Sequence, residues 1–183
     1  MIIRKLFKFE NAHIVRGCST ERCKYSIHGH SYKAEILLSS DTLDNGQMVM
    51  DFGLLKGAVR DVVDSFDHAI ALWDKDEVEY IEYAKKYSHR WALLPISPSA
   101  EQFSRLFFVA IDTLINGFNY LNGEANVELH SVIIHETETG YAQCFRGDAY
   151  SEKMGLIDLG KVIFSDDVKR EWSSPDILGK ILN

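Results

Sequence analysis

Over residues 3–13 the chain alternates: Ile3, Phe7, Phe9 and His13 share one parity, while Arg4, Lys8 and Glu10 take the other. That is the period of a half-buried strand, with His13 closing its apolar face. After a polar loop over residues 18–24, His28, His30, Tyr32, Ala34, Ile36 and Leu38 alternate against Lys33, Glu35 and Ser39, which predicts a second strand. The period then changes. Asp44, Asn45 and Gly46 are a turn signal, Asp51 can cap a helix, and Leu54, Leu55, Ala58, Val59, Val62, Val63 and Phe66 recur at helical spacing. This helix ends on Asp67 and His68. A second amphipathic helix starts around Ser97, Pro98 and Ser99, where Ser99 and Gln102 suit a capping box, and continues through Phe103, Leu106, Phe107, Ala110, Ile111 and Leu114. Beyond Asn122 and Gly123, residues 127–136 and 141–146 read as a hairpin across the turn 137–140. The predicted order is ββααββ: an α+β domain over residues 1–146, with an antiparallel sheet and two helices on one face. Residues 74–90 read as a solvated helical insertion, and residues 147–183 as a C-terminal extension with no assigned role.

At 183 residues and 46% hydrophobic content, the chain is long enough for one domain with a substantial core. A net charge of −7 gives no general attraction to nucleic acid or to an anionic membrane. The first ten residues interleave charges with apolar side chains, so they lack the continuous apolar segment of a signal peptide or membrane span, and a cytoplasmic protein is expected. Cys18, Cys23 and Cys144 are an odd count with no framework spacing and are expected to be reduced thiols.

His28 and His30 are two residues apart and project to one face of a strand, and His13 supplies a third imidazole if the two strands pair. Three neutral imidazoles leave a fourth position open, which is the catalytic form of a zinc site. Gly29 between them permits close backbone approach. A single strand histidine is more often a hydrogen-bonded core or surface residue; the convergence of three is what points to a metal. Asp67 can fix the tautomer and orientation of His68, or His68 can simply sit favourably at a helix C-terminus. Arg16, Arg22 and Lys24 flank the cysteine loop, where they are either local cations for an anionic substrate or solvated loop charge.

Six motifs in this order, F-x-x-A-H, C-x-x-x-x-H-G-H, M-V-M-D-F-G-L-L-K, F-D-H, S-P-S-A-E and H-E-T, resemble the 6-pyruvoyltetrahydropterin synthase / 6-carboxytetrahydropterin synthase family over residues 1–146. The resemblance implies the tunnelling (T-) fold, in which subunits pool antiparallel strands into a barrel encircled by helices. It also implies a homo-oligomer, a hexamer built as a dimer of trimers, with sites at subunit boundaries where groups such as the zinc histidines and Glu136 meet from different chains. Carried over by motif, zinc is the cofactor and His13, His28 and His30 its ligands. Cys23 corresponds to the catalytic thiol, and Asp67 and His68 to the catalytic pair. Glu136 corresponds to the carboxylate that accepts hydrogen bonds from the pterin. Ser99 matches the second helix start beside the substrate, although capping accounts for it equally well. The implied substrate is 7,8-dihydroneopterin triphosphate. The carboxy branch converts it to 6-carboxy-5,6,7,8-tetrahydropterin with release of acetaldehyde and triphosphate, in 7-deazaguanine and queuosine biosynthesis, whereas the pyruvoyl branch eliminates triphosphate. One departure matters: four residues separate Cys23 from His28, against a shorter spacer in the carboxy-forming branch and a longer one in the pyruvoyl-forming branch. Cys18 lies in the same loop and is the alternative thiol. A three-histidine zinc hydrolase would require no thiol, and a zinc-stabilised binding protein would require neither Cys23 nor the Asp67 and His68 pair.

Overall fold

The computed structural model describes residues 1–182. Its elements run β1 (Ile2–His13), α1 (Glu21–Tyr25), β2 (His28–Ser39), α2 (Ala58–Asp64), β3 (Ala69–Trp73), α3 (Val78–Tyr87), β4 (Trp91–Leu94) and α4 (Ala100–Asn116). They continue with β5 (Glu128–His135), β6 (Tyr141–Phe145), α5 (Arg146–Ala149), β7 (Ile163–Phe164), α6 (Asp166–Arg170) and α7 (Pro175–Leu178).

The alternation in the first two strands does what its period requires. β1 and β2 pair antiparallel from Ile2 opposite Ser39 to His13 opposite His28, burying Phe7 and Phe9 with Tyr32, Ala34, Ile36 and Leu38 on one face. α2 and α4 cover that face, with α4 lying over β5 and β6. Phe9 stacks on Tyr32 at 4.9 Å between ring centroids and meets Phe107, Phe103 and Phe66 at 5.6, 6.3 and 6.4 Å. Each such aromatic pair adds about 0.5–1.5 kcal/mol beyond the area it buries. This cluster fixes the ends of β1 and β2 that carry the histidines.

The sheet has the order β6-β5-β2-β1-β3-β4-β7, and its first four strands are the antiparallel set read from the sequence. The expectations of a wholly antiparallel sheet and of a ββααββ order are corrected by three further strands. β3 lies parallel to β1 and β4 parallel to β3, while β7 returns antiparallel to β4, so the sheet is mixed. Periodicity missed β3 because Ala69-Ile70-Ala71-Leu72-Trp73 is a continuous apolar run, the pattern of a strand flanked on both sides and covered. The single helix expected after Asp51 is also broken. Asp51 accepts a hydrogen bond from the Gly53 N–H at 2.6 Å and caps a 3-10 turn over Phe52–Lys56; Gly57 then leaves the helical region and α2 starts afresh at Ala58. Ser99 does cap α4, accepting from the Gln102 N–H at 3.3 Å.

Within residues 74–90, α3 buries Ile81 and Ala84 against Leu72 and leaves Val78, Tyr83 and Tyr87 exposed. The C-terminal residues return to the core. Leu178 is fully buried, the Trp172 indole N–H donates to Ser65 Oγ at 2.8 Å, and Asp61 accepts from Ser173 Oγ and the Ser174 N–H, each at 2.9 Å.

Candidate active site

The cross-strand pairing of His13 with His28 puts their rings 4.5 Å apart, and His30, two residues along β2, lies 5.4 Å from His13 and 5.3 Å from His28. One nitrogen from each ring can be chosen so that all three lie within 4.8 Å of one another, a group that could hold a metal ion. Gly29 is what allows it. A Cβ there would stand 2.9 Å from the Asn11 carbonyl oxygen on β1, closer than side-chain carbons approach backbone.

The hydrogen bonds of the rings suit ligation. His13, fully buried, donates through Nδ1–H to the Pro98 carbonyl at 2.5 Å, and His28 donates through Nδ1–H to the Ser26 carbonyl at 3.0 Å. Both tautomers place the lone pair on Nε2, as in metal-bound histidines whose outer nitrogen is held by a carbonyl, and in His13 the Tyr32 Oη lies 3.4 Å from that nitrogen. Nε2 of His30 is buried and has no hydrogen-bond partner among the described residues. An unsatisfied buried nitrogen is costly, and a cation among the three rings would satisfy it. Burial holds His13 and His30 below the ordinary 6.5, which favours the neutral, ligating form; for His13 the Pro98 bond opposes this shift. The donor set is compatible with zinc.

Glu136 stands at the end of β5, in a turn closed by its N–H and that of Thr137 donating to the Gly140 carbonyl. Its Oε1 accepts from Tyr32 Oη at 3.3 Å and lies 3.7 Å from His30 Nε2 and 3.8 Å from His13 Nε2. The expectation that the histidines and Glu136 meet across a subunit boundary is therefore corrected: they converge within one chain, because β2 and β5 are hydrogen-bonded neighbours. Burial, reinforced by Glu136, keeps the Tyr32 phenol protonated as a donor.

A cavity of about 380 Å³ opens beside the cluster, lined by His28, His30, Glu136, Ser99, Glu101 and both loop thiols, Cys18 and Cys23. The loop is curled by two backbone bonds, Val15 N–H to the Cys23 carbonyl and Cys18 N–H to the Val15 carbonyl, both 3.0 Å. The Thr20 N–H donates to Cys18 Sγ at 3.4 Å and pulls that thiol below the ordinary cysteine range. Cys23 is pushed up, first by burial and then by Cys18 beside it. Arg16 points elsewhere: its guanidinium donates to buried Asp76 at 2.9 Å and lies 4.9 Å over the Tyr80 ring. Arg22 is exposed, and the Lys24 ammonium lies over Tyr25 at 5.1 Å.

Asp67 and His68 form a pair, but His68 borders a different depression, of about 390 Å³, which shares His30 with the first. Asp67 accepts from the Glu10 N–H through Oδ1 at 2.7 Å and from His68 Nδ1–H through Oδ2 at 2.9 Å. Sequence reasoning missed the contributions of Tyr32 and Pro98. Tyr32 was detectable, since it continues the two-residue spacing of His28 and His30; the role of the Pro98 carbonyl, distant in sequence from His13, was not.

An α+β fold with three converging imidazoles, and with two of them, a carboxylate and two thiols lining one cavity, defines the class of site expected of a metal-assisted enzyme. Residues 2–147 match the 6-pyruvoyl tetrahydropterin synthase family, and the chain belongs to it. It is 33% identical to a 6-carboxy-5,6,7,8-tetrahydropterin synthase of Helicobacter pylori, an alignment covering 100% of this chain and 92% of the relative. The Aquifex aeolicus protein of the same name is 30% identical, over 77% of this chain and 95% of its own length. Among solved structures, an uncharacterized protein from Wolinella succinogenes aligns with a TM-score of 0.62 at 17% identity, covering 80% of this chain and 98% of that one. The 6-pyruvoyl tetrahydropterin synthase of Caenorhabditis elegans aligns with a TM-score of 0.55 at 19% identity, covering 79% and 94%. These two likenesses concern the fold alone.

Proposed function

We propose that this chain is a zinc-dependent 6-carboxy-5,6,7,8-tetrahydropterin synthase, a carbon–carbon lyase that converts 7,8-dihydroneopterin triphosphate with release of acetaldehyde and triphosphate, in the route to 7-deazaguanines and queuosine. The observation that carries the reading is the convergence of three imidazole nitrogens within 4.8 Å, with Glu136 Oε1 3.7 Å from one of them and the same cavity holding the thiols. The choice of the carboxy product rests on the full-length relative of that name.

His13, His28 and His30 would hold zinc, which when bound supplies Lewis-acid activation of the substrate's side-chain hydroxyls. Glu136 accepts paired hydrogen bonds from the pterin ring and sets the side chain against the metal. Cys23 as thiolate takes a proton from the side-chain carbon, and the Asp67-oriented His68 handles proton transfer on the other side. Cys18 is the second reading for the base, favoured by the Thr20 hydrogen bond to its sulfur. Residues 1–146 form the catalytic T-fold domain in this reading, and residues 147–183 are an extension of it.

The assembly in this reading is a dimer of trimers. Two strand edges support it: β6 ends the sheet, and β1 pairs with β3 only through Asn11 and Ala12, which leaves its edge over residues 2–8 without a strand neighbour among the described residues. Such edges invite another chain. Among the described residues no helix is long and apolar enough to cross a membrane, and we assign the enzyme to the cytoplasm. Metal-dependent consumption of 7,8-dihydroneopterin triphosphate tests the proposal. Turnover that chelation abolishes and zinc restores is expected; chelator-insensitive turnover, or none by zinc-loaded protein, would refute it.

A further inference from the structure

We infer that Arg90 is a positioning residue for His68, and that the β3–α3–β4 unit, latched by the C-terminal segment, is the brace that holds the Asp67 and His68 pair in place; this rests on the proton-transfer role proposed for that pair. His68 has a φ of +53°, a left-handed conformation that a residue with a side chain adopts at a cost and keeps only where its surroundings over-determine it. Three bonds around it run to β1 or within the pair. The His68 N–H donates to the Glu10 carbonyl at 2.7 Å, and Asp67 takes the Glu10 N–H and His68 Nδ1–H.

The Asp67 carbonyl, on the peptide that sets the direction of His68, is held from the other side. Arg90 donates to it through Nε at 2.8 Å and to the Asp64 carbonyl through Nη2 at 2.8 Å, so one planar guanidinium gathers the last carbonyl of α2 and one beyond it. Its third arm donates to Glu171 Oε2 at 2.6 Å. Arg90 is itself fixed, because its carbonyl accepts from the Ile70 N–H at 3.1 Å, where β4 joins β3. A cation at the end of the inserted unit, gripped by a carboxylate from the C-terminal segment, thus reaches the peptide that carries the proposed proton-transfer imidazole. If Arg90 merely closed a helix end, its loss would weaken the fold without a selective effect on turnover.

The experiment uses the full-length, zinc-loaded protein, wild type and Arg90→Ala. It reads steady-state kinetics with 7,8-dihydroneopterin triphosphate and hydrogen exchange of individual amides. Expected in Arg90→Ala are a kcat lowered by about tenfold or more with KM unchanged, since small misplacements of a reacting group cost rate rather than binding. Exchange should quicken at residues 67–69 and not across the sheet, and added guanidinium ion should restore part of kcat. Should Arg90→Ala fail to fold, Arg90→Lys, which keeps the charge but cannot span both carbonyls, carries the same reading. A kcat within about twofold of wild type overturns the inference, as does a rise in KM matching the loss of kcat, or faster exchange throughout the sheet. If wild type does not consume the substrate, the functional proposal fails, and exchange decides the brace alone: unchanged His68 protection in Arg90→Ala overturns it, and faster exchange confined to residues 67–69 sustains it.

Discussion

Replacing Gly29 with alanine should weaken both the fold and the metal site, because the added Cβ would lie 2.9 Å from the Asn11 carbonyl oxygen and 3.5 Å from the Ala12 Cα. The obstacle is backbone of the neighbouring strand, so no side chain can swing away. Restoring ordinary contact at 3.4 Å or more requires β1 and β2 to part by about half an ångström at the position between His28 and His30. Metal–ligand distances tolerate only about 0.2 Å, so His13 can no longer share an ion with His28 and His30 unless binding draws the strands back together. Overpacking of this kind costs about 1–3 kcal/mol. If binding has to supply that energy, zinc affinity falls about 5- to 150-fold. Competition with a chromophoric chelator measures the affinity, and urea unfolding of the metal-free protein measures the strain separately. Gly17→Ala is the control, since a Cβ there meets nothing within 4 Å among the described residues. Zinc affinity in Gly29→Ala within about twofold of wild type would refute the argument from close strand approach.

Cys23→Ala should keep zinc and fold but lose turnover by about a hundredfold or more, while Cys18→Ala should stay substantially active; the reverse result would make Cys18 the base. Glu136→Gln should weaken substrate binding by about 1–2 kcal/mol, a five- to thirtyfold rise in dissociation constant, with zinc content unchanged, and unaltered affinity would remove Glu136 from the pterin contact. Because burial holds His13 and His30 below 6.5, the unfolded chain takes up protons that the folded, metal-free protein refuses as pH falls through that value. This contribution is intact above pH 6.5 and is lost progressively below it, so urea midpoints of the metal-free protein should drop on the acid side; midpoints that rise there would contradict it. Finally, Cys23→Ala and His68→Ala proteins, inactive separately, should recover activity when unfolded together and reassembled, since their groups border different depressions of one chain and would meet between chains. A strictly monomeric, active protein by light scattering would defeat that arrangement.

What was legible in the sequence was whatever local periodicity or fixed spacing carries. The alternation ending in His13 and the one beginning at His28 determine the antiparallel register that opposes these two residues, and Gly29 announced the close approach. β3 and β4 were illegible, since a buried parallel strand such as Ala69–Trp73 shows no alternation and its partners lie distant in sequence. The break at Gly57 shows the same limit, because apolar spacing continues across a 3-10 turn and a helix alike. Arg16 offered itself as a cation for an anionic substrate, yet Asp76, sixty residues away, takes it, and no local pattern encodes that pairing. The convergence of Glu136 with the histidines likewise follows from β5 lying beside β2.

The central claim is the reaction, and identification of its products tests it most directly. Zinc-loaded protein incubated with 7,8-dihydroneopterin triphosphate should yield, by mass spectrometry, 6-carboxy-5,6,7,8-tetrahydropterin together with acetaldehyde and triphosphate. A 6-pyruvoyl product, with triphosphate released but the side-chain carbons retained, would contradict it and place the chain in the other branch of the family.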